Sequence, residues 1–129
     1  NYIAEAQQYL LSIEESFHPT ILYEHRDVID LVKANVAFES GDSKGAIGKL
    51  QPLIKRNPMQ GEALILLGKA FLKEENYEQA SFYIERARSI PDFSHAALLD
   101  LGRLYVAQGT YNKAISCLSE AYQMRPNPP

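Results

Sequence analysis

Apolar residues recur every three or four positions along most of the chain, which is the spacing of an α-helix. Two such runs follow one another in the middle of the sequence: Leu64, Leu67, Gly68 and Phe71, then Tyr77, Ala80, Ile84 and Ala87. The polar segment between them, residues 74–76, is too short to let the second helix move far from the first. The pattern therefore predicts an antiparallel helical hairpin and an all-α protein.

The same pattern returns further along the chain. The distance in sequence from Ala63 to Ala97 is the offset between the two copies, and we call this distance one repeat length. Segments 61–92 and 95–126 share seven identities in 32 aligned pairs. The repeated residues are Ala63/Ala97, Leu64/Leu98, Leu67/Leu101, Gly68/Gly102, Tyr77/Tyr111, Ala80/Ala114 and Ala87/Ala121. Because a single hairpin cannot bury its apolar face alone, such repeats stack on one another as an α-solenoid.

Small residues recur where the two helices of a hairpin cross. Gly68 and Gly102 lie on the first helix, and Ala80 and Ala114 on the second. Residues without large side chains allow two helix backbones to approach closely. We expect Ala80 and Ala114 to be buried at these crossings.

A weaker copy precedes the two clear repeats. Ala46 aligns with Ala80, and Leu50 aligns with Ile84, but Asp30 and Lys33 take the places of Leu64 and Leu67. A slip of one residue would place Leu31, Ala34 and Phe38 on the apolar face instead. The register of this first helix stays open.

Residues 1–20 form a separate helix candidate, with an apolar face that ends at His18-Pro19. This helix is either a cap or the second helix of a preceding repeat. The run Ile21–Glu39 then predicts one long first helix, which brings the total to seven helices. The predicted divisions are 1–20 for the N-terminal helix, 21–60 for a degenerate repeat, 61–94 for the second repeat, and 95–129 for the third repeat with its Pro-rich end.

The motif Leu-x-x-Leu-Gly-x-x-Phe, followed by Tyr-x-x-Ala-x-x-x-Ile-x-x-Ala, resembles the tetratricopeptide repeat. The resemblance implies a right-handed superhelix that binds protein partners on a concave face built from the first helix of each hairpin. It implies these positions for that face: Leu31, Asn35, Ile65, Leu66, Lys69, Leu72, Lys73, Leu99, Asp100, Arg103 and Val106.

Apolar residues dominate that face, so we expect an apolar or amphipathic partner segment. Ile65, Leu66, Leu72, Leu99 and Val106 would form an exposed apolar row. The basic residues Lys69, Lys73 and Arg103 would favour acidic residues in the partner.

Some members of the family grip a C-terminal carboxylate on this face. The matching positions here are Leu31, Asn35, Leu66, Ala96 and Asp100, and only Asn35 agrees with that motif. The sequence therefore argues against a carboxylate clamp.

Charge and composition argue against several other classes of function. With 13 Lys+Arg against 16 Asp+Glu, the net charge is −3, which disfavours nucleic-acid binding, and no apolar run is long enough for membrane insertion. One cysteine disfavours a disulfide-rich secreted protein but permits the cytosol, the periplasm or an organelle, so the compartment stays open, with a soluble, cytoplasmic protein as the first expectation. The start at Asn1 without Met indicates a piece of a larger repeat protein.

No catalytic, cofactor or metal motif is visible. His18, His25 and His95 are scattered, and Cys117 beside Leu118 is typical of a small apolar filler. We therefore expect a non-catalytic adaptor or scaffold without cofactors. The alternatives are a structural spacer, or the regulatory part of an enzyme whose catalytic domain lies elsewhere.

Two further expectations concern the ends of the repeat array. The helix of residues 1–17 is also apolar on one face, so it is an alternative cover for the groove. The last helix presents Leu118 and Ala121 to a further neighbour, which predicts self-association through an exposed repeat end.

Overall fold

The computed structural model describes residues 2–124, which form eight α-helices and one short 3-10 turn. The helices are α1 (Tyr2–Ser16), α2 (Pro19–Glu24), α3 (Arg26–Glu39), α4 (Ser43–Arg56), α5 (Gly61–Lys73), α6 (Tyr77–Arg88), α7 (Ser94–Gln108) and α8 (Tyr111–Met124), with the turn at Pro91–Phe93. The chain divides into two compact units, Asn1–Pro58 and Met59–Pro129. The first contains the hairpin α3–α4, and the second contains α5–α6 and α7–α8.

The three hairpins share one turn geometry, and successive turns are separated by one repeat length. Their second helices begin at Ser43, Tyr77 and Tyr111. Two positions before each start, the backbone is left-handed, with φ of 92° at Gly41, 60° at Glu75 and 76° at Gly109. A left-handed residue reverses the chain after a helix and allows the following amide to bond back to the helix end.

The residue after each left-handed position completes the turn. The amides of Asp42, Asn76 and Thr110 donate to the carbonyls of Ala37, Phe71 and Tyr105 at 2.8, 2.9 and 2.8 Å. The side chains of Asp42 and Asn76 also cap the second helix, because they accept from the amides of Gly45 and Gln79. Short polar linkers therefore fix all three hairpins in the same way.

The helices of each hairpin in the second unit cross at the small residues. Ala80 and Ala114 are 0% and 2% exposed, which confirms the predicted burial. A Cβ atom added at Gly68 would collide with Ile84 and lie 3.3 Å from the Ala80 carbonyl oxygen. At Gly102 it would lie 2.7 Å from Leu118 Cδ2, so both crossings depend on the missing side chain.

The first repeat keeps the register of the other two without a slip. Ala34 is fully buried and stands one repeat length before Gly68. Asp30 and Lys33, which replace the usual leucines, are half-buried and form ion pairs instead. Asp30 binds Arg56 of α4 at 3.1 Å, and Lys33 binds Glu14 of α1.

The prediction of one long helix over residues 21–39, and therefore of seven helices, is wrong. The helix breaks at His25, whose φ of −106° and ψ of 20° leave the helical range, so the segment forms both α2 and α3. Arg26 stabilises the break, because its guanidinium donates to the Tyr23 carbonyl at 3.1 Å and lies over the Tyr23 ring at 4.1 Å. The N-terminal helix ends at Ser16, and Pro19 opens α2.

Candidate functional site

The inner-face residues predicted for the second unit lie on α5 and α7, two helices that contact each other. On α5 the positions are 65, 69 and 72, and on α7 they are 99, 103 and 106, which is the same spacing displaced by one repeat length. Residues four and seven positions apart share one face of a helix. Each helix therefore carries one row of candidate residues. We call these two rows, together with the other predicted positions 66, 73 and 100 on the same helices, the α5/α7 face.

The expectation that Ile65 and Leu66 belong to an exposed apolar row is wrong. Ile65 and Leu66 are only 9% and 7% exposed. The reason is that α5 is apolar on nearly all sides between Ala63 and Phe71, and such a helix buries most of its surface. Leu72 and Leu99 are half-buried, and Val106 is 49% exposed, so these three supply the accessible apolar surface.

Three basic residues belong to the same face. Lys69 is half-buried and Lys73 is exposed, and within residues 2–124 neither of them forms an ion pair. Arg103 differs, because it donates to the Asp100 carboxylate at 2.7 Å. Asp100 is 4% exposed, whereas the Arg103 side chain is 68% exposed. The carboxylate is thus shielded, and the accessible charge of the face is positive.

The predicted site residues of the first unit have different surroundings. Leu31 is buried, and Asn35 is exposed with its amide donating to the Leu31 carbonyl at 3.3 Å. Helix α1 packs against α3. Asn35 lines a cleft of about 490 Å³ between these helices, together with Tyr2, Ile3, Ala6, Val32, Val36 and Glu39.

A second cleft, of about 320 Å³, was not foreseen from the sequence. It lies between α6, α7 and α8, and Arg88 links two of these helices by binding Glu120 at 2.8 Å. Burial raises the pKa of the Cys117 thiol, although the nearby Arg88 charge acts in the opposite direction. Burial also raises the pKa of Tyr105, and the charge of Glu85 adds to that effect. A raised pKa keeps the thiol protonated, which makes Cys117 a poor nucleophile.

Sequence reasoning predicted an exposed apolar surface on the last helix, and Leu118, at 42% exposed, belongs to it. Ala121, expected to await a neighbour, is 1% exposed and belongs to the core. Tyr111, Ile115 and Tyr122 are instead between 56% and 62% exposed. Their spacing of four and seven residues was the available signal.

Metal-binding clusters and membrane-spanning helices are two further kinds of functional feature. Across residues 2–124, no three His, Cys, Asp or Glu side chains are grouped so that they could hold a metal ion. The helices of the same range include none that combines the length and hydropathy needed to span a membrane.

Two tetratricopeptide-repeat family models match the chain, one over residues 31–95 and the other over residues 95–128. The chain belongs to the tetratricopeptide repeat family, and its fold class is an all-α repeat of helical hairpins, an α-solenoid. Such repeats are in general protein–protein interaction modules and are typically non-catalytic.

Among solved structures, the crystal structure of MamA has a similar fold, with a TM-score of 0.75 at 21% sequence identity. The match covers 83% of this chain and 64% of the MamA chain, so this chain spans less than two thirds of that protein. The comparison with curated proteins finds no relative.

Proposed function

We propose that this chain is a non-catalytic adaptor that holds a partner segment on the α5/α7 face, and that the segment combines apolar with acidic residues. The observation that carries the proposal is the charge of this face. Lys69 and Lys73 reach solvent without an ion-pair partner among residues 2–124, and the nearby acid Asp100 is buried against Arg103. An acidic segment would pair with these positive charges. The pairing would increase its rate of association and orient it on the face.

Apolar contacts would supply the affinity. Leu72 and Val106 stand one repeat length apart, at the same place in successive repeats, and Leu99 lies on the same face of α7 as Val106. A bound segment that buries part of these three side chains would gain about 25 cal/mol for each Å² of apolar surface removed from water. Ile65 and Leu66, which are buried, would support these side chains from the protein interior.

The ion pair between Asp100 and Arg103 orients the arginine for contact with the partner segment. The buried carboxylate holds one guanidinium nitrogen at 2.7 Å, while most of the Arg103 side chain stays exposed. The remaining donors of the guanidinium can bind a carboxylate or carbonyl of the partner. Asp100 would therefore act on the partner only through Arg103.

A structural spacer is the second candidate, and the packing of α1 on α3 favours it. Asn35 shares its cleft with Tyr2, Ile3 and Ala6 of α1, so the chain's own N-terminal helix occupies part of the surface predicted for a partner in the first unit. In this interpretation the helices serve chiefly to join neighbouring repeats of a longer protein. The α5/α7 face would then bind no segment.

Selection from a displayed library of random peptides separates these functions. We expect the chain to enrich peptides that contain Asp or Glu next to Leu, Ile or Phe. The double variant Lys69→Glu with Lys73→Glu should weaken their binding about tenfold or more, which corresponds to about 1.4 kcal/mol.

The matched control is Lys49→Glu with Lys55→Glu, which makes the same change in charge at two exposed positions of α4. Binding by this control should equal that of the unmodified chain. Equal loss in both variants would show a dependence on net charge alone, and failure to enrich any peptide would favour the spacer.

A further inference from the structure

The last helix carries an apolar row that the proposed function does not use. Tyr111, Ile115, Leu118 and Tyr122 are 62%, 61%, 42% and 56% exposed. Their spacing of four, three and four residues places them on one side of α8. We call these four residues the α8 stripe.

In the preceding hairpin, the equivalent side of the second helix has a neighbouring helix to pack against. Ile84 of α6 stands one repeat length before Leu118 and is fully buried, and α6 packs against the following helix α7. Leu118 fills the space above Gly102 in the same way that Ile84 fills the space above Gly68, yet 42% of it stays exposed. The stripe is therefore a helix-packing surface without a neighbour among residues 2–124.

We infer that a second copy of this chain covers the α8 stripe through a two-fold, antiparallel contact between the two α8 helices. A two-fold contact requires a surface that is complementary to itself. The stripe meets this requirement because it reads tyrosine, aliphatic, aliphatic, tyrosine in both directions. Tyr111 then lies opposite Tyr122 of the second copy, and Ile115 lies opposite Leu118.

The charges of α8 do not oppose a contact with a second copy. The two charged residues of Tyr111–Met124 are Lys113 and Glu120, and both lie on the side of the helix opposite the stripe. There Glu120 binds Arg88 at 2.8 Å, and the Lys113 ammonium lies 5.6 Å from the centre of the Tyr105 ring. Two stripes can therefore approach without repulsion between like charges.

The size of the stripe indicates a reversible dimer. Two tyrosines and two aliphatic residues at these exposures offer on the order of 500 Å² per copy. A stable interface typically buries about 800 Å² per partner. We therefore expect monomer and dimer to exchange as the protein concentration changes.

Sedimentation equilibrium over a concentration series tests the dimer. The mass should rise from the 14.5 kDa of the monomer towards twice that value. Ile115→Glu should abolish the rise, since it places a charge at the centre of the contact. Leu11→Glu, at a position of α1 that is 57% exposed, is the matched control and should leave the rise unchanged.

A second pair of variants tests the antiparallel arrangement. Tyr111→Glu with Tyr122→Lys should dimerise more strongly than Tyr111→Glu with Tyr122→Glu, because only the first pair brings opposite charges together across the two-fold axis. Circular dichroism must show equal helix content in both variants.

Three results would overturn the proposal. The first is a monomer at every concentration, which would leave the stripe to a different helix. The second is equal loss of dimer in Ile115→Glu and Leu11→Glu, which would indicate a contact between α8 of one copy and α1 of the other. The third is equal dimerisation of the two double variants at positions 111 and 122.

Discussion

Glu75 is under backbone strain that its two equivalents avoid. It is the one non-glycine residue with positive φ between residues 2 and 124, and glycine occupies the same place at positions 41 and 109. A side chain disfavours the left-handed conformation by about 1–2 kcal/mol. The hairpin turn nevertheless forms, because Asn76 caps α6 and its amide bonds to the Phe71 carbonyl at 2.9 Å.

Glu75→Gly should stabilise the protein. Relief of the strain outweighs the added freedom of glycine in the unfolded chain, and we expect a gain of about 0.5–1 kcal/mol in urea unfolding. The control is Glu74→Gly, because residue 74 has an ordinary φ of −84° and should gain nothing. A loss of stability in Glu75→Gly would contradict this account of the turn.

The cysteine in the core should be inert at neutral pH and should make stability sensitive to alkali. Burial raises the pKa of Cys117 from its usual 9.0 and the pKa of Tyr105 from its usual 10.0. Both groups hold their protons more tightly in the folded chain, so stability falls as pH rises through and above these usual values.

Two measurements check this prediction. A disulfide reagent at pH 8 should modify Cys117 slowly in buffer and rapidly in urea. The urea midpoint should be lower at pH 10 than at pH 7, and Cys117→Ala should reduce that difference. Equal rates of modification in buffer and urea would show that the thiol is accessible.

At the scale of the elements, the hairpins depend on where two helices approach most closely. Gly68→Ala should cost about 1–3 kcal/mol, because its new methyl group meets the fully buried Ile84. Gly48→Ala makes the same change in α4, where no atom lies within 4 Å of the added carbon. That variant should be more stable by up to about 1 kcal/mol, since alanine favours helix.

Thermal or urea unfolding compares the two alanine variants directly. Opposite signs are expected, and a shared sign would show that helix propensity rather than close packing sets the outcome. The replacement Ala114→Leu extends the test to the third hairpin, where about 1–3 kcal/mol should be lost.

The elements that sequence could predict are those that the repeat spacing determines. The repeat length predicted the starts at Tyr77 and Tyr111 and the buried Ala80 and Ala114, because every repeat must place its small residues at the same crossing. The break at His25 was not predictable from periodicity, since it depends on local contacts between Arg26 and Tyr23.

Less of the candidate site than of the fold could be predicted from the sequence. The resemblance to the tetratricopeptide repeat assigns Ile65 and Leu66 to the inner face of α5, but it does not report how much of that face other residues cover. The pairing of Asp100 with Arg103 follows from an i, i+3 spacing, whereas the burial of the carboxylate depends on tertiary packing.

For the molecule as a whole, the charges of the α5/α7 face predict a salt-dependent interaction. The affinity for an acidic selected peptide should fall as ionic strength rises from about 0.05 to about 0.5 M, because exposed charges are screened. In Lys69→Glu with Lys73→Glu the remaining affinity should no longer fall with salt, because the two new carboxylates repel the acidic peptide and salt screens that repulsion. Isothermal titration at three salt concentrations measures both, and an affinity independent of salt in the unmodified chain would exclude an electrostatic contribution.

The most direct test of the binding face is a map of amide chemical-shift changes when the tightest selected peptide is added to the isotope-labelled chain. We predict that the largest changes fall on α5 and α7, at Lys69, Leu72 and Val106 and their neighbours. The contradicting result is a set of changes confined to the α1–α3 cleft or the α8 stripe, with α5 and α7 unaffected.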